Sequence, residues 1–177
     1  MKELRIAHTS ELDAPVLGAA RALLEEVFGQ EMTEHDWEHA LGGVHAFIVE
    51  RDDLVGHAAI VQRRLLHRGR ALRAGYVEGV GVRADRRRRG YGTAMMEALE
   101  RVVRGAYELG ALSAADDAAT FYAGRGWKAW QGPTSALTPG GITRTEQEDG
   151  SIYVLPLATP LDLSAALTCD WRDGELW

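Results

Sequence analysis

The chain has 177 residues, 46% of them hydrophobic and 26% charged, with a formal net charge of -6. This is the composition of a globular protein, and the length predicts one domain over residues 1–177. The net negative charge argues against a nucleic-acid partner, and a charged amino terminus with no apolar run of about 18 residues predicts a cytoplasmic protein without a membrane partner.

The first half of the chain is predicted to form a strand, two helices and three further strands. Residues 4–8 have the composition of a short strand. Ser10 with Asp13 and Thr33 with Asp36 have the spacing of capping boxes, which predicts helices just after them, over residues 14–28 and 35–41. Apolar runs bounded by turn residues then predict an antiparallel meander of strands over residues 44–50, 54–66 and 71–82.

The second half alternates helices and strands. From Tyr91 to a stop at Gly110 the apolar residues recur at helical spacing. Further elements are predicted as a strand over 111–114, a helix over 116–125, a strand over 127–130, a long polar loop over 138–150, a strand over 151–157 and an irregular end over 167–177. The predicted fold class is therefore α/β, of the α+β type, with a central, mostly antiparallel mixed sheet flanked by helices.

Cysteine and metal chemistry are not indicated. Cys169 is the single cysteine, so neither an intrachain disulfide nor a multi-cysteine zinc site can form, and we expect this residue to be buried. His35 and His39 share a helical face, but HDWEH departs from the zinc-protease motif HExxH and no third ligand is evident. We therefore expect no metal. His57 is expected to be packed or hydrogen-bonded.

A strongly basic turn precedes the helix that begins near Tyr91. Four arginines, residues 86–89, are followed by Gly90 and Gly92. The first amides of a helix have no intrahelical acceptor and lie at the positive end of its dipole, so a helix start binds anions. Glycines allow a diphosphate to approach the backbone, and guanidinium groups add attraction. The patterns GxxxxGK[ST] and GxGxxG are absent. The remaining RxxGxG predicts a diphosphate site, although alone it also fits a basic turn without a ligand.

Two glycines interrupt the strand before this turn. Gly79 and Gly81 weaken an ordinary strand, because glycine in a strand marks a bulge or the close approach of another backbone-like group. The segment therefore predicts either an edge that pairs with an amide-containing ligand or a kinked strand without one.

The motifs VEGVGV, RRRGYG and FYAGRGW occur in an order and spacing that resemble the GNAT acetyltransferases. The segments DWEHALGGVHA, GYVEGVGVRAD, GAYELGALSA, FYAGRGWKAWQGPTS and CDWRDGELW resemble one branch of that superfamily, the aminoglycoside 2'-N-acetyltransferases, over residues 4–177. The resemblance implies the GNAT fold, acetyl-coenzyme A as cosubstrate, and direct transfer of its acetyl group to the 2'-amine of an aminoglycoside, which confers resistance.

The resemblance also assigns backbone contacts with acetyl-coenzyme A. Val80 and Val82, with Gly81 between them, are implied to hold the pantetheine arm in a strand-like manner. The amides implied to hold the diphosphate are those of Arg87, Arg88, Arg89, Gly90, Tyr91, Gly92 and Thr93.

Acetyl transfer from a thioester to an amine requires a base for the amine, donors for the developing oxyanion and a proton for the thiolate. Glu78 lies on the strand expected to hold the thioester, so we expect it to act as general base, directly or through water; a surface carboxylate or an arginine partner is the alternative. The resemblance assigns the acid role to Tyr122, which could instead be a core residue. The amide of Val80 or Gly81 is expected to be the oxyanion donor.

An aminoglycoside carries several ammonium groups, so its site should be acidic. The carboxylates that the sequence supplies are those of Glu31, Asp36, Glu148, Glu175 and the terminal Trp177, whose ring could also stack. The resemblance implies substrate contacts for Asp36, Ser113, Glu175 and Trp177. Asp36 has a competing role as the partner of Thr33 in a capping box. Glu31 and Glu175 depart from the family, whose members commonly carry aspartate there, so the preferred drug is left open.

Two other functions fit the sequence. The same fold could acetylate another amine, such as a polyamine or an amino sugar of the cell envelope. A non-catalytic protein could instead bind acetyl-coenzyme A or the drug without turnover, although the presence of Glu78 with Tyr122 favours catalysis. Open sheet edges favour a homodimer.

Overall fold

The computed structural model describes residues 2–177, except for the side chain of Asp116. The chain forms two compact units. The first comprises the residues up to Val61 together with Val77–Arg101, and the second comprises Gln62–Tyr76 together with Val102–Trp177. The single domain expected from the length stays a prediction.

Helices and strands alternate along the described part of the chain. The helices are α1 (Ala14–Phe28), α2 (Glu34–Ala40), α3 (Tyr91–Ala106) and α4 (Ala119–Ala123). The strands are β1 (Lys2–His8), β2 (Val44–Glu50), β3 (Asp53–His67), β4 (Arg70–Val82), β5 (Leu109–Ser113), β6 (Lys128–Ala129), β7 (Thr134–Thr138), β8 (Gly141–Arg144), β9 (Ile152–Pro156) and β10 (Leu167–Cys169). The long strands β3 and β4 contribute residues to both units.

Side-chain caps fix the starts of α1 and α2. Thr33 and Asp36 form the predicted capping box of α2, in which each side chain accepts a hydrogen bond from the backbone N–H of the other residue. The box predicted for Ser10 with Asp13 is wrong. Asp13 is itself the N-cap of α1 and accepts from the Val16 amide at 3.0 Å, while the reciprocal box belongs to the preceding 3-10 turn. A carboxylate directly before a helix satisfies its orphan amides alone, so no partner at position 10 is needed.

The first unit is built on an antiparallel ladder of β1, β2 and β3. Lys2 pairs with Glu50 across β1 and β2, and Val44 pairs with Ile60 across β2 and β3. The apolar stripe of α1 covers this sheet because Leu24 is fully buried against Phe47 of β2 in a cluster that also contains Trp37 of α2. Burial of these large side chains is the main stabilising contribution here.

The second unit contains a mixed sheet. Its strands follow the order β6-β9-β5-β4-β3-β10-β7-β8. The pairs β4 with β5 and β10 with β7 are parallel, whereas β5 with β9, β6 with β9, β7 with β8 and β10 with β3 are antiparallel. The predicted α/β class with a mixed sheet is therefore confirmed.

Two predictions for the carboxyl-terminal third are wrong. The polar segment 138–150 contains β8, and the irregular end contains β10. Every residue of β8 is exposed, so this strand exists through pairing with β7 and has no apolar pattern to reveal it. The three residues of β10 pair with two strands distant in sequence, which periodicity does not detect. The helix predicted over 116–125 is shorter, with only Ala119–Ala123 in α-helical conformation.

Two glycines of the first unit give opposite predictions for stability. A methyl group at Gly43 would lie 2.1 Å from the carbonyl oxygen of Ile60, whereas one at exposed Gly18 in α1 meets no atom within 4 Å. We expect Gly43→Ala to lower the free energy of unfolding by more than about 2 kcal/mol, because β2 and β3 must separate. We expect Gly18→Ala to raise it by about 0.5 kcal/mol through helix propensity. Urea denaturation measures both, and equal effects would contradict the packing at Gly43.

Candidate active site

The carboxyl-terminal half of β4 carries several predicted site residues in sequence. Glu78, Val80 and Val82 are half-buried. Gly79 has φ +55°, a conformation that departs from a regular strand and favours glycine. Methyl groups at Gly79 and at Gly81 would each lie 3.1 Å from a methyl group of Leu24. Both glycines are therefore explained by the close approach of α1, and the predicted kink is present at Gly79.

A short turn leads from β4 into α3. The Arg86 amide donates to the Arg83 carbonyl at 2.8 Å, and the Arg87 amide donates to the Ala84 carbonyl at 3.4 Å. The Arg87 amide, the first of the predicted diphosphate donors, thus has a long bond within the chain. Arg88 with φ +60° and Gly90 with φ +75° then turn the backbone into the helix.

The first turn of α3 leaves amide donors available. The Ala94 amide donates to the Gly90 carbonyl at 3.0 Å, so the amides of Tyr91, Gly92 and Thr93 precede the helical ladder. The helix has 16 residues, and its dipole adds positive potential at this end. These groups fit an anion such as a diphosphate, because Gly90 is exposed and space around its Cα is open.

Much of the arginine charge near this turn is compensated. Arg83 pairs with Asp85 at 2.8 Å, and Arg86 pairs with Glu50 at 2.8 Å and also with Asp85. Among the described residues, those at 87–89 form no ion pair, and all three are exposed. The sequence placed all four arginines of the run in one predicted anion site, but only the last three keep their charge available.

Glu50 joins the turn to the start of α3. Its carboxylate accepts from Arg86 and, through a short hydrogen bond, from the hydroxyl of Tyr91, the first residue of α3. The Lys2 ammonium lies 4.6 Å from the centre of the Tyr91 ring. A pocket of about 380 Å³ borders this network and is lined by Lys2, Glu50, Arg51, Asp53, Arg83, Arg86 and Arg89. Its excess of cationic side chains favours a phosphate-bearing ligand.

Two buried histidines connect β2, β3 and β4 below the kink. The Nδ1 atom of His57 lies 2.8 Å from the Gly79 carbonyl oxygen, and the Nε2 atom of His57 lies 3.0 Å from the Nδ1 atom of His45. The Nε2 atom of His45 lies 2.7 Å from the Thr9 hydroxyl. Burial lowers the pKa of His57 to about 3 and the pKa of His45 to about 4, so both rings are neutral near pH 7. The expectation that His57 is hydrogen-bonded is confirmed.

In the second unit, Tyr122 lies in an aromatic cluster. Its side chain is 7% exposed, and its ring lies 5.2 Å from Phe121, 6.1 Å from Trp127 and 6.4 Å from Tyr153 between centres. Burial raises the pKa of the Tyr122 phenol to about 12, against a small opposing effect of Arg125. The hydroxyl therefore stays protonated at neutral pH and is able to donate a proton or a hydrogen bond.

Three predicted substrate contacts of the second unit lie around one turn. Exposed Ser113 donates to the Ser151 hydroxyl at 3.5 Å, and that hydroxyl donates to the Glu148 carboxylate at 3.1 Å. The Glu148 amide donates to the Thr145 carbonyl, and the Trp177 indole donates to the Thr145 hydroxyl at 3.0 Å. Trp177 is only 5% exposed, so its ring is a fixed part of this group.

The remaining predicted contacts are placed differently. Glu175 is exposed, and its backbone carbonyl accepts from Arg172 at 2.7 Å. In the first unit Glu31 is exposed, while the Asp36 carboxylate accepts from the Thr33 amide at 2.8 Å and from the Thr33 hydroxyl at 2.7 Å. The capping role of Asp36 is therefore realised.

Other expectations concern metal, cysteine and membrane. Cys169 is buried as predicted, and burial raises the pKa of its thiol. Within residues 2–177, apart from the Asp116 side chain, no three acidic, histidine or cysteine side chains are grouped as metal ligands. None of the described helices has the length and apolarity to cross a bilayer.

Sequence reasoning did not identify Glu50, His45, Thr145 and Ser151 as parts of the site. Each acts through a hydrogen bond to a residue distant in the chain. The signal for Glu50 was its position at the end of a strand that pairs with β1, but pairing partners are known only from the fold.

Similarity to known proteins agrees with this arrangement. Residues 10–130 match the family model described as an acetyltransferase (GNAT) domain. The chain is 54% identical over 177 residues to an aminoglycoside 2'-N-acetyltransferase of Mycolicibacterium fortuitum, an alignment that covers 98% of this chain and 91% of the relative. The chain belongs to the GNAT acetyltransferases, in the aminoglycoside 2'-N-acetyltransferase family.

Solved structures show the same fold at low identity. Escherichia coli ElaA is 20% identical with a TM-score of 0.64, covering 87% of this chain and 99% of that protein. An acyl-CoA N-acyltransferase from Pseudomonas aeruginosa is 18% identical with a TM-score of 0.62, covering 87% and 99%. Eis1 from Mycobacterium abscessus is 18% identical with a TM-score of 0.62 over 76% of this chain, which spans only 33% of that longer protein.

The neutral histidine pair predicts an acid-sensitive stability. The unfolded chain binds protons below a histidine pKa of about 6.5, whereas the folded pair binds them only near the lowered pKa values. Stability should therefore fall as the pH decreases from about 6.5 to about 4, by up to about 1.4 kcal/mol per pH unit for each histidine. His57→Phe should make this dependence shallower.

Urea denaturation at a series of pH values measures this slope. His35→Gln is the matched control, since His35 is exposed beside Glu38 and its removal should leave the slope in place. An unchanged slope in His57→Phe would show that the pair is not neutral in the folded state.

Proposed function

We propose that this chain transfers the acetyl group of acetyl-coenzyme A to the 2'-amine of aminoglycosides by direct attack. The observation that carries the proposal is the set of available backbone amides at the start of α3, directly after the kinked strand β4. The substrate class is supported by the 54% identical relative, which is named for this activity.

The chain would hold acetyl-coenzyme A mainly through its backbone. The amides of Arg88 to Thr93 would bind the diphosphate, with the exposed guanidinium groups of Arg87, Arg88 and Arg89 adding attraction. The backbone of Val80 to Val82 would pair with the two amides of the pantetheine arm. When bound, acetyl-coenzyme A supplies the thioester whose acetyl group is transferred.

Two side chains would move protons. Glu78 is half-buried next to Val80 and would accept a proton from the substrate ammonium, directly or through water. Tyr122 would donate its phenolic proton to the departing thiolate, a role that suits a phenol whose pKa burial raises to about 12. The amide of Val80 or Gly81 would donate to the developing oxyanion.

The cationic substrate would be recognised by acidic and aromatic groups. In the second unit, Ser113, Glu148 and the fixed indole of Trp177 lie around one turn, and Glu175 adds an exposed carboxylate. In the first unit, Glu31 would contribute directly. Asp36 would use lone pairs that its cap leaves free, because a carboxylate accepts about four hydrogen bonds. The homodimer and the cytoplasmic location stay predictions.

Removing either proton-transfer group should reduce turnover. We expect Glu78→Gln to lower kcat by about 100-fold or more and Tyr122→Phe by about tenfold or more, with KM for acetyl-coenzyme A nearly unchanged. Coenzyme A release with an acceptor that bears a 2'-amine, such as tobramycin, measures both. Glu97→Gln and Tyr107→Phe are controls outside the site. An acceptor with a 2'-hydroxyl should be poor, and absence of release with every 2'-amine would contradict the proposal.

Loss of the Glu50 network should affect acetyl-coenzyme A specifically. Glu50→Gln weakens its bonds to Arg86 and Tyr91, so the turn before α3 loses its fixed position. We expect KM for acetyl-coenzyme A to rise about threefold to tenfold, at a kcat within about twofold, since each charge-assisted bond contributes about 1.5 kcal/mol. Asp53→Asn, an exposed acid of the same pocket, is the control. A rise in KM for the aminoglycoside alone would contradict this role.

A further inference from the structure

The two buried histidines have a single consistent proton arrangement. A carbonyl oxygen can only accept, so the Nδ1 atom of His57 must carry the proton that is donated to Gly79. The Nε2 atom of neutral His57 then accepts from the Nδ1–H of His45, and the Nε2 atom of His45 accepts from the Thr9 hydroxyl. Every donor in this chain of three hydrogen bonds points towards the Gly79 carbonyl.

Packing holds both rings in place. His45 and His57 are fully buried. The His45 ring stacks on Phe47 at 5.6 Å, and the His57 ring lies 5.5 Å from Phe47 and 6.2 Å from Trp37. The outer end is fixed as well, because the Thr9 hydroxyl oxygen accepts from the Gly42 amide at 2.9 Å. The pair stays neutral near pH 7 because burial lowers both pKa values, so it keeps one orientation and does not shuttle protons.

The peptide bond transmits this constraint to Val80. The Gly79 carbonyl and the Val80 amide belong to one rigid peptide plane, and the described peptide bonds are trans. In a trans peptide the C=O and N–H bonds point in opposite directions. A donor that fixes the carbonyl on the α1 side therefore aims the Val80 N–H away from that side. Hydrogen bonds in series also polarise one another, which makes this N–H a stronger donor.

We propose that His57, supported by His45, is a positioning residue for acetyl transfer, which orients and polarises the Val80 amide as oxyanion donor. The proposal rests on the proposed function for the chemical step at Val80. The flexibility of Gly79 explains why such a device is needed, since a glycine at φ +55° has other accessible conformations. The neighbouring side chain, Glu78, gains a defined direction from the same constraint.

The test compares two substitutions of His57. His57→Phe keeps an aromatic ring beside Phe47 and Trp37 but removes the donor, and His57→Asn places an amide N–H near the former Nδ1 position. We expect His57→Phe to lower kcat by about tenfold to 100-fold, less than or comparable to loss of an oxyanion donor itself, with KM for acetyl-coenzyme A within about threefold. His57→Asn should recover part of the loss.

The matched control is His67→Phe. His67 is also a buried, hydrogen-bonded histidine that meets an aromatic ring, Trp130, edge to face at 5.2 Å, but it lies outside the proposed machinery. Its substitution should lower stability and leave kcat within about twofold, which separates positioning from a merely structural role.

Spectroscopy gives a readout that is independent of turnover. In protein labelled with 15N-valine, His57→Phe should shift the Val80 amide proton resonance upfield, because the peptide loses its polarising donor, while the Val82 resonance moves little. If wild-type protein shows no turnover with any 2'-amine, the proposed function fails, and this measurement still decides the positioning. A folded His57→Phe variant with kcat within twofold of wild type, a His57→Asn variant no faster than His57→Phe, or an unmoved Val80 resonance would overturn the inference.

Discussion

The conformation of one short piece of backbone, from Gly79 to Thr93, determines what this protein can bind. Along it the strand β4 kinks, a tight turn follows, and α3 begins with amides that precede its hydrogen-bond ladder. Backbone donors are useful for phosphate and thioester groups only if they are fixed, and glycine-rich segments are not fixed by themselves. Three neighbours supply the restraint in the first unit: Leu24 against both strand glycines, His57 at the Gly79 carbonyl, and Glu50 at the start of α3.

The sequence allowed the local features to be predicted because each depends on neighbouring residues. The capping box at Thr33, the meander of β2 to β4 and the helix after Tyr91 follow from short-range spacing. The strand β8, exposed on every residue, and the three-residue β10 depend on pairing partners far away in the chain. Ser10 matched a capping pattern, yet Asp13 alone caps α1, because the two signatures overlap in sequence and only geometry separates them.

The candidate site was predictable to a similar extent. Its backbone part could be inferred from the glycines and from the physics of helix starts. The compensation of Arg83 and Arg86 by acids could not, because ion pairs depend on side chains brought together by folding. The histidine pair was likewise recognisable only as two isolated residues. The fold turns these into a directed chain of hydrogen bonds, in which burial keeps both rings neutral and thus keeps their tautomers fixed.

The most direct test of the central claim is amide hydrogen exchange, resolved by residue, with and without acetyl-coenzyme A. Saturating acetyl-coenzyme A should slow exchange at the amides of Val80 to Val82 and of Arg88 to Thr93, because these donors gain acceptors. Unchanged exchange at both segments in a protein that nevertheless acetylates aminoglycosides would contradict the claim that this stretch of backbone holds the cosubstrate.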